Sequence, residues 1–137
     1  MLPPIPILPV LVSAVAVFAI GALWYSPLLF GKQWVKAHGY TEAKIQAMRA
    51  SMGRAYGVSF LCYLVMAAAM SMLIGRMDII YPIGGVKLGA VIGLGFAATI
   101  GLTSNMFSEK PLATYLIDAS YQIVYLMVMG VILTVWR

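Results

Sequence analysis

A chain of 137 residues that is 63% hydrophobic and only 9% charged does not have the composition of a soluble domain, in which about 25% of residues carry a charge. So short a chain cannot bury that much apolar surface in its own core, and lipid must therefore contact much of its outside. The formal net charge of +5 does not indicate nucleic-acid binding, because the basic residues lie between apolar segments and form no soluble basic face. The composition predicts a single integral membrane domain over residues 1–137 and no nucleic-acid partner.

Four apolar segments predict membrane-spanning α-helices. A hydrocarbon core about 30 Å thick is crossed by about 20 helical residues at a rise of about 1.5 Å each. None of the four segments alternates as a strand would, and in lipid a helix satisfies its own backbone groups. We therefore predict an all-α fold, an integral membrane four-transmembrane-helix bundle with helices at residues 10–30, 55–74, 88–107 and 112–136.

The long first connection contains a pattern typical of a short amphipathic helix. Thr41 is a good N-cap residue, and Ile45, Met48 and Met52 then fall on one helix face. This pattern predicts a short interfacial helix at about residues 41–52. A helix that is simply solvated is the alternative.

The distribution of Lys and Arg predicts the orientation in the membrane. Six basic residues lie in the first and third connections: Lys32, Lys36, Lys44, Arg49, Arg54 and Lys110. Three lie on the opposite side: Arg76, Lys87 and Arg137. The positive-inside rule then predicts a multi-pass protein of the bacterial inner or plasma membrane with both termini outside. No Lys or Arg precedes the first apolar segment, so we expect a retained helix and not a signal peptide.

The third apolar segment carries small residues at every fourth position, which together we call the glycine ridge. The ridge consists of Gly85, Gly89, Gly93, Ala97 and Gly101. Such a ridge lets another helix approach closely, either within the same chain or from a second copy. Because four helices alone barely shield a polar interior, we expect a homo-oligomer or a larger membrane complex surrounded by lipid.

Asp118 is the residue that most suggests a functional site. It lies two turns into the fourth predicted helix, roughly 10 Å beyond Pro111 by helical rise, where an ionisable side chain is costly and usually faces the protein interior. Other polar and aromatic residues should lie at the same level: Trp24, Tyr25, Ser26, Arg54, Asn105, Tyr121 and Gln122. We interpret this set as an intramembrane binding site. A buried aspartate that only links helices through hydrogen bonds is the alternative.

Catalytic and metal-binding patterns are weak in this sequence. His38 is the only histidine, and it has no cysteine or carboxylate at ligand spacing. The sequence also lacks a phosphate-binding loop, a dinucleotide fingerprint and paired carboxylates. We therefore expect no metal, no cofactor and no enzymatic activity.

The segment Gly21-Ala22-Leu23-Trp24-Tyr25-Ser26-Pro27, continuing to Gly31-Lys32 and Trp34, is distinctive. With Asn105, Phe107, Asp118-Ala119, Tyr121 and the segment 130–136, it resembles the membrane proteins of the domain of unknown function 1761 family. The resemblance covers essentially the whole chain. It implies a four-helix membrane protein of unassigned activity, in which the corner at residues 24–27 and Asp118 belong to one site.

Three hypotheses about function follow. The first is a non-enzymatic membrane protein that binds or transports a small solute, ion or lipid, with Asp118 as proton acceptor or cation ligand. The second is a structural or accessory subunit that packs against a larger membrane complex through the glycine ridge. The third is a membrane enzyme that modifies lipids.

Overall fold

The computed structural model describes residues 4–136, and over these residues the chain is helical with no β-strand. Arg137, one of the nine basic residues from which the orientation is predicted, lies outside the described residues. The helices are α1 (Ile7–Trp24), α2 (Gly31–His38), α3 (Glu42–Arg49), α4 (Met52–Arg76), α5 (Pro82–Ser108) and α6 (Leu112–Val135). Four of the described helices, α1, α4, α5 and α6, are long and apolar enough to cross a membrane.

The first long helix is shorter than predicted, because it ends at Trp24 and not at residue 30. Pro27 lacks a backbone N–H and disfavours helical geometry in the residue before it. The chain then turns, and α2 begins at Gly31, a helix that the apolar pattern did not predict. Helix α2 ends at His38, and the residue that caps it, Gly39, has a φ of +71°, which glycine readily adopts.

The short helix of the first connection is present, with narrower bounds than the predicted 41–52. It runs over Glu42–Arg49, and the Thr41 hydroxyl caps it by accepting a hydrogen bond from the Lys44 N–H at 3.2 Å. Ile45 and Met48 line a partly open cavity. The apolar face of α3 therefore covers space inside the protein.

The third long helix begins at Pro82, six residues before the predicted residue 88. Proline suits the first position of a helix, because its missing N–H would have no partner there. Gly84 and Gly85 favour a turn by propensity, yet both are helical here. Packing of α5 against α6 outweighs the turn propensity of these glycines. Helix α5 also contains a π-helical stretch at Gly93–Ala97.

Helix α6 is central to the bundle. It contacts α1, α4 and α5, and α2 also packs against it. The most extensive contact joins α5 to α6, which form a tight antiparallel hairpin because only residues 109–111 connect them. A site on α6 can therefore be reached by side chains from several helices.

The glycine ridge packs against α6 of the same chain. A Cβ atom added at Gly89 would lie 2.6 Å from the Leu126 carbonyl carbon, and one at Gly93 would lie 3.0 Å from the Ile123 Cα. Ridge glycines thus allow the two backbones to approach each other. Because the ridge packs against a helix of the same chain, it offers little surface to a second copy. The homo-oligomer therefore stays a prediction that the glycine ridge does not support.

The buried core lies in the half of the bundle near the chain termini. Met70, Ile74, Met129 and Leu133 are almost completely buried there, together with Val17 of α1. The opposite half, where α1 ends and α4 and α6 begin, contains a large cavity. One half of the bundle is closely packed and the other half contains the cavity. The candidate site therefore lies in the half with the cavity.

Apolar side chains cover the outside of the long helices. Val65 is 70% exposed, and Ile100 is 66% exposed. Contact between so much exposed hydrocarbon and water would be unfavourable in free energy, whereas contact with lipid would not. The outer surface therefore fits a protein surrounded by a bilayer.

Candidate functional site

A compact corner after α1 brings α2 back against the bundle. The Phe30 N–H donates to the Trp24 carbonyl at 3.0 Å, and the Gly31 N–H donates to the Ser26 carbonyl at 2.9 Å. A Cβ at Gly31 would lie 2.8 Å from the Ser26 carbonyl carbon, which is too close for any other residue. The glycine therefore lets α2 begin directly against the corner.

Asp118 accepts two hydrogen bonds at this corner, both on Oδ1. The Tyr25 hydroxyl donates to it at 2.5 Å and the Trp34 indole N–H donates at 3.2 Å. Burial raises the pKa of the Tyr25 hydroxyl, and its hydrogen bond to Asp118 acts in the same direction, so the phenol keeps its proton and remains a donor. Among the described residues, no hydrogen bond reaches the second oxygen, Oδ2.

Two further hydrogen bonds connect α1 to α6 beside Asp118. The Trp24 indole N–H donates to the Ile117 carbonyl at 3.1 Å, and the Tyr121 hydroxyl donates to the Val17 carbonyl at 2.8 Å. The Tyr63 hydroxyl of α4 lies 3.3 Å from that of Tyr121. These bonds hold the carboxylate in place relative to three helices.

A cavity of about 720 Å³ opens beside Asp118, between α1, α4 and α6, and α2 and α3 cover it. Among its sixteen lining residues, Asp118 is the only one with a formal charge. Seven are aromatic: Phe18, Tyr25, Trp34, Tyr40, Tyr56, Tyr63 and Tyr121. The cavity is therefore an apolar, aromatic space with one carboxylate in its wall.

The structure brings together four of the predicted site residues. Tyr25, Asp118 and Tyr121 line the cavity, and Trp24 fixes the adjacent turn of α6. Ser26 lies at the corner, but its hydroxyl donates to the Leu23 carbonyl at 2.6 Å and does not reach Asp118. Its role is to stabilise the turn.

Three other predicted residues do not line the cavity. Arg54 is exposed on α4, and Gln122 is half-buried on α6 next to Tyr121. Asn105 is buried, but its side-chain amide donates to the Lys110 carbonyl at 3.1 Å. Asn105 therefore closes the α5–α6 hairpin, and the structure does not bring it to Asp118.

Sequence reasoning missed Trp34 as a site residue. Its indole reaches Asp118 because α2 folds back at Gly31, which the apolar pattern could not indicate. One available signal was its place in the distinctive segment that begins at Gly21. Tyr56, Ser59 and Tyr63 of α4 also line the cavity, and none of them was among the predicted site residues, since their helix face is set by contacts with α1.

The family model described as "Protein of unknown function (DUF1761)" matches residues 8–134. The match includes the corner after α1, α2 and Asp118, which the structure joins through hydrogen bonds. No curated protein and no solved structure matches the chain. The family resemblance drawn from the sequence is confirmed, and the chain belongs to the DUF1761 family.

Proposed function

We propose that this protein is a multi-pass membrane protein that binds a small, positively charged solute in the cavity beside Asp118. One observation carries the proposal: the Asp118 carboxylate is held through Oδ1 alone, while Oδ2 has no hydrogen-bond partner among the described residues. No Lys or Arg lines the cavity. A carboxylate in an apolar wall is costly unless an opposite charge pairs with it, and a bound cation would supply that charge.

The aromatic wall favours an organic cation over a bare metal ion. Ca²⁺ takes six to eight oxygen ligands and Mg²⁺ an octahedral set, whereas the side-chain oxygens of the lining residues are those of one carboxylate and the hydroxyls of Ser59 and the tyrosines. Tyrosine, tryptophan and phenylalanine faces attract ammonium groups through cation–π interactions. The donor set therefore supports an amine or quaternary ammonium ligand.

Transport across the membrane would require a second opening. The half of the bundle near the termini is closely packed around Met70, Ile74 and Met129. Movement of a solute through this region would need α1, α4 and α6 to separate there. The geometry therefore supports binding more directly than transport, and transport remains a further step of the same hypothesis.

The accessibility of Ser59, which lines the cavity, tests the proposal. In a Cys62→Ser background, and with each rate divided by the rate of the same reagent with a free thiol in solution, Ser59→Cys should react about tenfold faster with a methanethiosulfonate carrying a trimethylammonium group than with one carrying a sulfonate. Tenfold corresponds to about 1.4 kcal/mol of charge-dependent preference. Asp118→Asn should abolish this preference, because it removes the charge that attracts the cationic reagent.

Gly53→Cys provides the matched control, because it lies on the same helix outside the cavity and has open space around it. We expect its reactivity to be the same with and without Asp118→Asn. An unreactive cysteine at position 59, or a charge preference that survives Asp118→Asn, would contradict the proposal.

A lipid-modifying enzyme is the second candidate, and one contact favours it. The Tyr25 hydroxyl lies 2.5 Å from Asp118 Oδ1, within the distance that an acid–base pair requires. Mass spectrometry of phosphatidylethanolamine–phosphatidylglycerol bilayers incubated with the protein separates the candidates. Binding alone predicts unchanged lipids. A new lipid species formed by the wild type and absent with Tyr25→Phe would instead support catalysis.

A further inference from the structure

A second space, which we call the α1–α4 groove, adjoins the Asp118 cavity. It has a volume of about 430 Å³ and is lined by Val15, Phe18, Ala19, Tyr56, Gly57 and Phe60. Phe18 and Tyr56 line both spaces. Their rings pack edge to face with centroids 5.6 Å apart, so the two side chains mark the place where cavity and groove meet.

The groove lies on the outer, lipid-facing surface of the bundle. Val15 is 53% exposed and Tyr56 is 52% exposed, and both belong to helices that are apolar enough to cross a membrane. A Cβ at Gly57 would meet no atom within 4 Å. The groove is therefore open from the side, and a molecule dissolved in the bilayer could enter it without crossing water.

We infer that the ligand of this site is an amphiphilic organic cation, with its ammonium head at Asp118 and its apolar chain in the α1–α4 groove. This inference rests on the proposed function, since it needs a cation in the cavity. The carboxylate and the aromatic rings suit the head, and the groove beside them has an almost wholly apolar lining. An apolar chain fills such a groove, whereas a small hydrophilic cation leaves it empty.

The path of the ligand's apolar chain follows from the order of the lining residues. From Ala19 to Val15 the groove follows α1 for four residues, about 6 Å by helical rise, away from the end of the helix at Trp24. The groove therefore leads from the cavity toward the middle of the spanning segment. A chain longer than the groove would continue into the surrounding lipid, where it meets an equally apolar environment.

Binding of two labelled probes to the full chain in nanodiscs tests the inference. The nanodiscs contain phosphatidylglycerol alone, whose headgroup carries no ammonium group that would compete. The probes are tetramethylammonium, which has only the head, and dodecyltrimethylammonium, which has head and chain. We expect saturable binding of both to the wild type, with tighter binding of the dodecyl probe.

Gly57→Leu should fill the groove without disturbing the fold, because its surroundings are open. We expect it to weaken binding of the dodecyl probe at least tenfold and to change binding of tetramethylammonium less than twofold. Gly53→Leu is the matched control, one turn earlier on α4 and outside the groove, and should leave both affinities unchanged. Ala19→Leu fills the groove from α1 and gives the same readout if Gly57→Leu does not fold.

The outcomes separate the two proposals. In one outcome, tetramethylammonium binds and Asp118→Asn abolishes its binding, but the groove variants do not weaken binding of the dodecyl probe. The inference about the ligand's apolar chain is then overturned, and the proposed function stands. If neither probe saturates, or if Asp118→Asn changes neither affinity, the proposed function fails and the inference fails with it.

Discussion

Replacing Gly85 with leucine is expected to lower the free energy of unfolding by about 3 kcal/mol or more, because the new side chain has no space. A Cβ at Gly85 would collide with the Gly130 carbonyl group and would lie 2.5 Å from the Thr134 hydroxyl oxygen. The obstacle is backbone, which cannot move aside as a flexible side chain can. The loss should appear as a lower melting temperature in detergent and a smaller yield of folded protein.

Gly95→Leu is the control for this prediction, since Gly95 lies in the same helix and its added Cβ would meet nothing within 4 Å. We expect it to change the free energy of unfolding by less than about 1 kcal/mol. Equal stability of the two variants would show that α5 and α6 do not approach each other at Gly85, and the role assigned to the glycine ridge would then be wrong.

Replacing Asp118 with leucine is expected to release α2 from the bundle. The change removes the acceptor of both the Tyr25 hydroxyl and the Trp34 indole N–H. An unpaired buried donor costs about 1–3 kcal/mol, and because both donors here are only partly buried, we expect a total loss in the lower part of the summed range, about 2–4 kcal/mol. Trypsin should then cleave faster after Lys32 and Lys36 of α2, which are exposed but protected by the helix.

Asp118→Asn separates the structural role of Asp118 from its role in binding. Asparagine keeps one side-chain oxygen that can accept the two hydrogen bonds, so the proteolysis rate should stay near that of the wild type while cation binding is lost. Asp78→Asn is the charge-matched control, because Asp78 is exposed and its φ of +52° suits asparagine. An Asp118→Asn variant that binds cations normally would leave Asp118 as a purely structural residue.

The main architecture could be predicted because it depends on properties that lie along the chain. Long apolar segments predict spanning helices regardless of their neighbours, and Thr41 predicts a helix start through its own hydroxyl. The depth of Asp118 also follows from counting residues after Pro111. The end of α1 was less clear, because the apolar run continues to Phe30 while Pro27 already ends the helix at Trp24.

The partners of each side chain could not be predicted with the same success. Asn105 and Asp118 stand at similar levels by residue count, yet Asn105 bonds to Lys110 and Asp118 bonds to Tyr25 and Trp34. Residue counting gives the height of a side chain in the bundle. It does not give the direction in which the side chain points around the helix axis.

The sequence by itself determined that this protein is helical, that four segments suit a membrane, that α3 is amphipathic and that a carboxylate lies within the last helix. Only the tertiary structure decided that the glycine ridge faces α6, that Trp34 reaches Asp118 and that a cavity opens beside the carboxylate. The physical reason is that local hydrogen bonds and hydrophobicity determine a helix and its depth. The rotation and the neighbours of each helix depend on contacts between residues far apart in the chain.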